Sequence, residues 1–344
     1  MDFNYIKNRI KNEEDIPLIE KAFNFADTKL SGVYYSKNKT LINHILNIVN
    51  TLIDFNADKD TLISCLLYET LKNNVKKEEI EKEFGLDISN IVFTASIINI
   101  NDLINDNIKQ KYYLEQLNVD NPEDVRAFFI KFADTFNQLK TKKIKNLGYQ
   151  KKLANETLKT LVPTAQRLRL NYIKSKVEDL CLFHLNPEIY NEILNKLNAT
   201  PDILLTQLNT TKDDISKLLS NNNIKFIIKG RVKNIYSIYS KLMSGKNWDD
   251  IYDILALRII LDDEVNCNIV AELIHSNYIY LPERFKDYIN NPKENMYQSL
   301  HTTIINNNRF YEIQIRTNEM NKNAEFGNAS HQLYKQKNKS KHKN

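Results

Sequence analysis

The hexapeptide EIQIRT, residues 312–317, alternates polar and apolar side chains along most of its length. Ile313 and Ile315 fall on one side of an extended chain, because successive side chains of a strand point to opposite faces. The other side carries a carboxylate, an amide and a guanidinium, from Glu312, Gln314 and Arg316. The pattern predicts a strand with one buried face, and a solvated antiparallel strand is the simplest interpretation of its polar face.

A second strand is predicted at residues 252–261, where YDILALRIIL is almost continuously apolar. Such runs are typical of a central strand that is buried on both faces. Asp253 and Arg258 are costly there unless each has a partner or a ligand. If Asp253 lies beside Glu312, the two carboxylates repel one another and recruit a cation, and oxygen ligands suit Mg²⁺. A salt bridge from Asp253 to a lysine is the alternative.

The segment before that strand, GRVKNIYSIYSKLMSGK, repeats Lys233, Ser237 and Lys241 every four residues. In a helix these side chains form one stripe, which is either a solvated face or a surface for phosphate. The side expected to face the core has Tyr236, Tyr239 and Leu242. Arg231, just before the segment's helix, offers a planar guanidinium that stacks on a purine or clamps phosphate oxygens.

Residues 284–301, RFKDYINNPKENMYQSLH, have the composition of a loop between strands. The cations interleaved with its asparagines are Arg284, Lys286 and Lys293. Tyr297 is a candidate for stacking on a base, an interaction of roughly 1–3 kcal/mol where it has been measured. A ring packed at the edge of the core is the alternative for Tyr297, since tyrosine is frequent in this chain.

These motifs occur in one order over residues 230–335: GRxK, YSIY, K, DILALR, RFKDYI, PK, YQSLHTT, EIQIRT, a methionine, AEFG and a histidine. That order resembles the synthetase domain of the RelA/SpoT homologue family, the enzymes that make the stringent-response alarmone (p)ppGpp. The resemblance implies a nucleotidyltransferase-like mixed sheet flanked by helices, over residues 226–334. It also implies transfer of the β,γ-pyrophosphoryl group of ATP to the ribose 3′-oxygen of GDP or GTP.

The resemblance further implies a role for each matching residue. Asp253 and Glu312 are then the catalytic pair and the Mg²⁺ ligands, and Glu312 also takes the 3′-hydroxyl proton. The implied ATP-binding residues are Arg231, Lys233, Ser237, Lys241 and Arg258. The implied GDP- or GTP-binding residues are Lys286, Lys293, Tyr297, Gln314 and His331.

Three residues depart from the family's pattern and bear on acceptor preference and rate. Met296 stands where glycine is usual, Ser240 where arginine is common, and Asn321 where histidine is common. A methionine does not take a positive φ cheaply, so the loop that presents Tyr297 is expected to be shaped differently. The loss of the arginine removes one phosphate contact.

The first half of the chain is predicted to be almost entirely helical, from amphipathic runs at 17–29, 41–55, 59–72, 123–139 and 151–168. Its motifs, among them INHILNIV, LLYETLKNN and EDVRAFFIKFADTFNQLK, resemble the HD-type hydrolase domain of the same family. The predicted organisation is a helical HD-type domain at 1–190, a helical linker at 191–225, the synthetase domain at 226–334 and a lysine-rich disordered tail at 335–344. The fold class is therefore α+β.

The HD-type domain of the family removes pyrophosphate with a metal held by a histidine, a His-Asp dipeptide and a distant aspartate. His44 and Asp134 match the outer ligands, but the dipeptide and the acidic catalytic pair are replaced by Tyr68, Glu69, Lys72 and Asn73. Tyrosine substitutes poorly for imidazole as a Mn²⁺ ligand, and a lysine beside the site opposes cation binding. We expect an inactive hydrolase without Mn²⁺, a structural or regulatory role, and a His44 that is packed in the core.

Composition limits the remaining possibilities. With 344 residues and 42% hydrophobic content, the chain suits two domains. Its cysteines lack metal-binding spacing and suit buried thiols in a reducing cytosol: Cys65, Cys181 and Cys267. The absence of a signal peptide or an apolar run of spanning length predicts a cytoplasmic protein without a membrane partner.

The net charge of +5 is a property of the tail, whose five lysines account for all of it. A solvated tail is expected, with weak RNA contact as the alternative. The downstream regulatory modules of long family members, and with them ribosome binding, are expected to be absent. Alternatives left open are another acceptor, such as an adenine nucleotide or a tRNA 3′ end, a nucleotide-binding pseudoenzyme, and assembly as a homo-oligomer.

Overall fold

The computed structural model describes residues 2–105, 107–140, 147–294 and 296–326. The chain divides into two compact units, Met1–Pro187 and Glu188–Asn344. Predicted residue His331 and the lysine tail at 335–344 lie outside the described residues. Among the helices of the described ranges, none combines the length and the apolarity needed to cross a lipid bilayer.

The first unit is helical apart from a short hairpin. Its helices are α1 (Phe3–Lys7), α2 (Ile16–Lys29), α3 (Leu41–Asp54), α4 (Lys59–Leu67), α5 (Lys77–Phe84), α6 (Leu86–Ile97), α7 (Ile100–Ile104), α8 (Ile108–Gln116), α9 (Pro122–Lys140), α10 (Leu147–Glu156), α11 (Val162–Arg167) and α12 (Asn171–Leu185). The hairpin strands are β1 (Tyr34–Ser36) and β2 (Lys39–Thr40). The five amphipathic runs of the sequence correspond to helical segments here.

Local signals explain several of these boundaries. The Thr40 hydroxyl accepts from the backbone N–H of Asn43, and Asp58 accepts from that of Thr61, so both side chains cap the helices that follow them. The predicted run at 59–72 ends as an α-helix at Leu67 and continues as a 3₁₀ turn, Thr70–Lys72. Between α10 and α11 the chain winds as a π-helix, Thr157–Leu161.

The second unit places a mixed sheet among helices. Its helices are α13 (Pro187–Leu197), α14 (Pro201–Asn221), α15 (Ile235–Met243), α16 (Glu264–Asn277) and α17 (Asn318–Phe326). Its strands are β3 (Ile227–Val232), β4 (Leu255–Leu261), β5 (Ile279–Tyr280), β6 (Lys286–Asp287), β7 (Leu300–Asn306) and β8 (Arg309–Thr317). The predicted α+β class, helical HD-type domain and then mixed sheet, is confirmed.

The sheet order is β3-β4-β8-β7-β5, with β6 also paired to β7. Only β4 and β8 run parallel among the paired strands described. The two strands predicted from sequence are therefore neighbours, and β4 is central, as its apolar run indicated. Asp253 lies two residues before β4 rather than within it.

The two faces of this sheet differ in chemistry. One face is apolar and packs against α14 and α16. Gly230 allows this packing, because a Cβ there would lie 3.0 Å from Leu208 Cδ2 of α14 and 3.2 Å from Leu257 Cδ2 of β4. The opposite face carries the charged and amide side chains of the strands.

Candidate active site

Two rows of polar side chains cross the second face of the sheet. Residues paired in register on neighbouring strands present their side chains on the same face. One row therefore runs across five strands through Lys229, Arg258, Gln314, His301 and Lys286. The next row contains Arg231, Ala256, Glu312 and Thr303. Strand register thus gathers residues from both the ATP-binding and the acceptor-binding predictions on one surface.

Asp253 is buried at the entrance to β4 and held by two lysines. Its Oδ2 lies 3.0 Å from Lys233 Nζ and 2.8 Å from Lys241 Nζ, so the salt bridge that was the alternative for Asp253 is present twice. Burial alone would raise the pKa of this carboxyl, but the two ammonium groups outweigh that effect and hold the pKa at about 2. Its Oδ1 is buried and has no hydrogen-bond partner among the described residues.

The helix that brings Lys241 to Asp253 differs from its prediction in two respects. It begins at Ile235, so Lys233 lies before it rather than on its surface. Its fully buried residues are Ile235 and Ile238, which the prediction had not named, whereas Tyr236, Tyr239 and Leu242 are half-buried. The Ser237 hydroxyl donates to Asn234 Oδ1.

Glu312 is held by a histidine that the sequence had not marked as a site residue. Its Oε1 lies 3.2 Å from His301 Nδ1 and accepts a 2.9 Å hydrogen bond from Gln314 Nε2. Burial raises the pKa of the Glu312 carboxyl, but these two donors outweigh burial and the net pKa is lowered. The charge of Asp253 acts on the pKa of Glu312 in the opposite direction, as the smallest of these effects.

The two carboxylates are oxygen donors of the kind that Mg²⁺ takes, although Lys233 and Lys241 occupy Asp253 Oδ2. Both offer oxygens with lowered pKa, and Asp253 Oδ1 is unpaired. No cluster of three or more His, Cys, Asp or Glu residues that could hold a metal occurs in the described parts of the chain. A Mg²⁺ ion bound by Asp253 and Glu312 would therefore take its remaining ligands from water and substrate phosphates, as this ion commonly does.

A cavity of about 180 Å³ opens at the edge strand β3, and one of its lining residues, Gln314, donates a hydrogen bond to Glu312. Its lining includes Arg231 and Arg258, both predicted for ATP, together with Gln314 and Lys229. Lys229 was not predicted, because a single lysine before the GRxK motif gives no signal until the strand register is known. Arg258 Nη1 donates to Asn321 Oδ1 at 3.3 Å, so the residue that departs from the family's histidine contacts a predicted ATP-binding residue.

The acceptor-side residues gather around Tyr297. Its hydroxyl lies 2.8 Å from His301 Nε2, and Lys293 Nζ lies 5.2 Å from the centre of its ring. Arg316, which is only 1% exposed, places its guanidinium carbon 5.4 Å from the same centre. Lys286 is exposed on β6, opposite His301. Tyr297 is thus half-buried, with its hydroxyl directed to the residue that holds Glu312.

Met296 adopts a φ of 61°, the left-handed conformation in which glycine is favoured. Its backbone N–H donates to Lys293 O at 2.8 Å, and the N–H of Lys293 donates to Tyr297 O at 3.2 Å. A tight turn therefore presents Tyr297 even though methionine occupies the glycine position. Met296 therefore takes the positive φ that is costly for a methionine, and whether the loop differs in shape from that of the family stays a prediction.

Replacing Met296 with glycine is expected to raise the free energy of unfolding by about 0.5–1 kcal/mol. The left-handed conformation costs an L-residue roughly 1–2 kcal/mol, and part of the gain is offset by the greater freedom of glycine in the unfolded chain. Denaturant unfolding measures the change. Met243 is similarly exposed but helical, so glycine there should instead destabilise by about 1 kcal/mol. If Met296→Gly instead lowers the free energy of unfolding, the conformation of Met296 is not strained.

The residues of the first unit that were predicted for the HD-type site are buried or contact one another. His44 Nε2 lies 3.1 Å from Asp134 Oδ1, and the Tyr35 ring stacks on the His44 ring at 3.7 Å. Burial raises the pKa of Asp134, but the hydrogen bond from His44 and further partners lower it to about 2. Tyr68 is fully buried. His44 is therefore packed between an aromatic ring and a carboxylate.

Two residues that were predicted to depart from the HD-type site, Lys72 and Asn73, both contact Glu69. Lys72 Nζ lies 3.0 Å from Glu69 Oε1, and Asn73 Nδ2 donates to the Glu69 backbone carbonyl at 3.0 Å. Lys131 Nζ lies 4.7 Å from the centre of the Tyr68 ring. The three cysteines, Cys65, Cys181 and Cys267, are free and buried.

Comparison with known proteins finds one family model in each of the two predicted domains. The model described as "Region found in RelA / SpoT proteins" matches residues 230–339, and the model of the HD domain matches residues 22–170. A Spiroplasma citri protein named guanosine-3′,5′-bis(diphosphate) 3′-pyrophosphohydrolase is 35% identical over 96% of this chain and 45% of its own length. The GTP pyrophosphokinase rsh of Brucella melitensis is 30% identical over 95% of this chain and 44% of its own length.

Among solved structures, small alarmone synthetase 2 from Bacillus subtilis is 30% identical, over 43% of this chain and 81% of that one, with a TM-score of 0.33. The chain spans about half the length of the curated relatives it matches. The two domain matches follow one another in the order predicted from the motifs. With an HD domain followed by a RelA/SpoT region and relatives of that kind along nearly its whole length, the chain belongs to the RelA/SpoT family.

Proposed function

We propose that the second unit transfers the β,γ-pyrophosphoryl group of ATP to the ribose 3′-oxygen of GDP or GTP, which makes (p)ppGpp. One observation carries the proposal. Two carboxylates with lowered pKa, Asp253 just before β4 and Glu312 on the neighbouring parallel strand β8, accompany a sheet face that is rich in cations. Relatives named GTP pyrophosphokinase support the direction of synthesis.

The chain's residues account for the donor side of this transfer. Lys233 and Lys241 hold Asp253 in the free protein and are suited to move to the ATP phosphates when the nucleotide arrives. Arg231 and Arg258 line the cavity at β3 and are assigned to the adenine. Bound to Asp253 and Glu312, Mg²⁺ supplies neutralisation of the charge that develops on the phosphoryl oxygens.

On the acceptor side, Tyr297 is assigned to the guanine ring, and Lys286, Lys293 and Gln314 to the polar groups of the nucleotide. Glu312 takes the proton of the acceptor's 3′-hydroxyl while the oxygen of that hydroxyl forms a bond to the β-phosphorus of ATP. The bond from that phosphorus to the oxygen bridging the α- and β-phosphates breaks, and AMP leaves. Such a reaction asks the protein mainly for alignment and charge neutralisation.

We also propose that the HD-type domain does not remove pyrophosphate. The ammonium of Lys72 already neutralises Glu69, one of the residues at the position of the family's metal-binding dipeptide. Burial raises the pKa of Tyr68, so its phenol is not available as an anionic ligand. Relatives named pyrophosphohydrolase make this part of the proposal important to test. A structural or regulatory role is what the domain then retains.

The synthesis is tested with purified protein, ATP and Mg²⁺ against a panel of acceptors: GDP, GTP, ADP and tRNA. We expect release of AMP and formation of a 3′-pyrophosphorylated guanosine nucleotide. Transfer only to ADP or to tRNA would mean that the reaction is the proposed one but that its acceptor is not GDP or GTP. Calorimetric binding of ATP without turnover on any acceptor would instead indicate a nucleotide-binding pseudoenzyme.

The hydrolase is tested separately, with ppGpp and Mn²⁺. We expect no release of pyrophosphate above a protein-free blank. Mn²⁺-dependent release by the wild-type protein, lost in Asp134→Asn, would show that the altered pocket is still an active site.

A further inference from the structure

A chain of hydrogen bonds runs from the acceptor side to the catalytic carboxylate and on to Arg316, whose cation–π contact with the Tyr297 ring closes it into a circuit. Tyr297 contacts His301 Nε2 at 2.8 Å, and His301 Nδ1 contacts Glu312 Oε1 at 3.2 Å. Gln314 donates to the same Glu312 oxygen, and Arg316 donates to Gln314, each at 2.9 Å. The guanidinium of Arg316 returns to the Tyr297 ring at 5.4 Å.

The chemistry of the groups decides which of them donates and which accepts in each hydrogen bond of this circuit. An ionised carboxylate only accepts hydrogen bonds, so the His301 proton facing Glu312 must be on Nδ1. In the neutral ring, Nε2 is then an acceptor, and the Tyr297 hydroxyl donates to it. Arg316 can only donate, which turns the oxygen of Gln314 toward Arg316 and its NH₂ toward Glu312.

Two donors therefore converge on one oxygen of Glu312, Oε1. Its other oxygen, Oε2, takes no part in the circuit and is available to Mg²⁺ and to the acceptor hydroxyl. His301 is 17% exposed in its side chain, and Tyr288 packs edge-on against its ring at 5.2 Å. The ring is thus fixed by packing as well as by hydrogen bonds, in the way that a base is commonly oriented by a third group.

We propose that His301 is a positioning residue that links the Tyr297 hydroxyl to Glu312 and sets the orientation of that carboxylate toward the acceptor. The inference rests on the proposed function, because it assigns a role within the same transfer. Tyr297 then has two separable parts. Its ring binds the acceptor base, and its hydroxyl selects the His301 tautomer that supports Glu312.

Tyr297→Phe separates these parts, since it keeps the ring and removes only the hydroxyl. We expect kcat for pyrophosphoryl transfer to fall about 10- to 100-fold, the size of effect that a misplaced catalytic group produces. The KM for GDP and the Kd for GDP from calorimetry should stay within about twofold. Tyr280→Phe is the matched control, because Tyr280 stacks on a different histidine, His275, away from Glu312. It should leave kcat unchanged.

Two outcomes with Tyr297→Phe would overturn the proposal. One is an unchanged kcat. The other is an increase in both KM and Kd for GDP with kcat retained, which would mean that the hydroxyl contacts the acceptor directly. Substitutions of His301 add a further test, since His301→Asn keeps an N–H donor near Glu312 and should retain more kcat than His301→Ala. Equal losses in the two variants would count against positioning.

A spectroscopic measurement tests the circuit without any turnover. In protein with ¹⁵N-labelled histidine, the His301 signals, assigned with His301→Asn, should report a proton on Nδ1. Tyr297→Phe should shift them toward a mixture of tautomers. If the His301 ring of the wild-type protein is protonated on Nε2 alone, the inference is wrong. If the wild-type protein transfers no pyrophosphate but shows the Nδ1 tautomer, the proposed function fails while the hydrogen-bond circuit stands.

Discussion

Asp253→Asn is expected to lower kcat for pyrophosphoryl transfer by about 10³-fold or more, on the scale seen when a preorganised electrostatic contact is removed. The asparagine keeps the shape of the side chain but removes its charge. Lys233 and Lys241, both within 3.0 Å of Asp253 Oδ2, would then face a neutral amide, and the best candidate oxygen for Mg²⁺ would be lost. The rate of AMP release with GDP measures the effect.

The control for this prediction comes from the other end of the same strand. Asp262 follows β4 directly, is exposed, and accepts a 3.1 Å hydrogen bond from Asn318 Nδ2. Asp262→Asn should leave kcat within about twofold of the wild type. Circular dichroism of both variants shows whether the fold is kept. If Asp253→Asn folds and retains more than about a tenth of the activity, Asp253 is not the carboxylate on which the reaction depends.

Local periodicity accounts for what the sequence predicted well. The alternation around Ile313 and Ile315 marks β8, and the apolar run ending at Leu261 marks β4, because both patterns depend only on side-chain direction along one strand. The amphipathic runs of the first unit are recognisable for the same reason. The family was predicted from the order of the motifs, because no single periodic pattern identifies it.

Such patterns could not predict contacts between segments that are distant in sequence. That His301 holds Glu312 follows from the register of β7 against β8, in which His301 pairs with Gln314 and Thr303 with Glu312. A shift of one residue would turn His301 to the apolar face. The double pairing of Asp253 likewise depends on where α15 begins. Sequence spacing suggested a lysine partner but not that two lysines share one oxygen.

Met296 shows a different limit of sequence reasoning. The intrinsic preference of methionine argued against a left-handed turn, yet neighbouring hydrogen bonds impose that turn. Propensity is a weak local energy, and a few kcal/mol of surrounding structure overcome it. In the first unit, Tyr68 is likewise a fully buried residue, a property that local sequence preference does not reveal.

Tyr68→Ala is expected to lower the free energy of unfolding of the first unit by about 3–5 kcal/mol, the usual cost of deleting a large ring from a packed core. Tyr68 is fully buried, and Lys131 Nζ lies 4.7 Å from the centre of its ring, so the deletion leaves a cavity beside a buried cation. Denaturant unfolding followed by far-UV circular dichroism measures the loss, since the first unit is almost entirely helical.

The matched control is Tyr112→Ala in α8, because Tyr112 belongs to the same unit but is 63% exposed. It should change the free energy of unfolding by less than about 0.5 kcal/mol. A large loss for Tyr68→Ala alone would mean that the ring now serves the core at a position where the family binds a metal. If Tyr68→Ala is as stable as the wild type, the pocket is open enough to admit a ligand, and the proposed loss of hydrolysis would lose its structural basis.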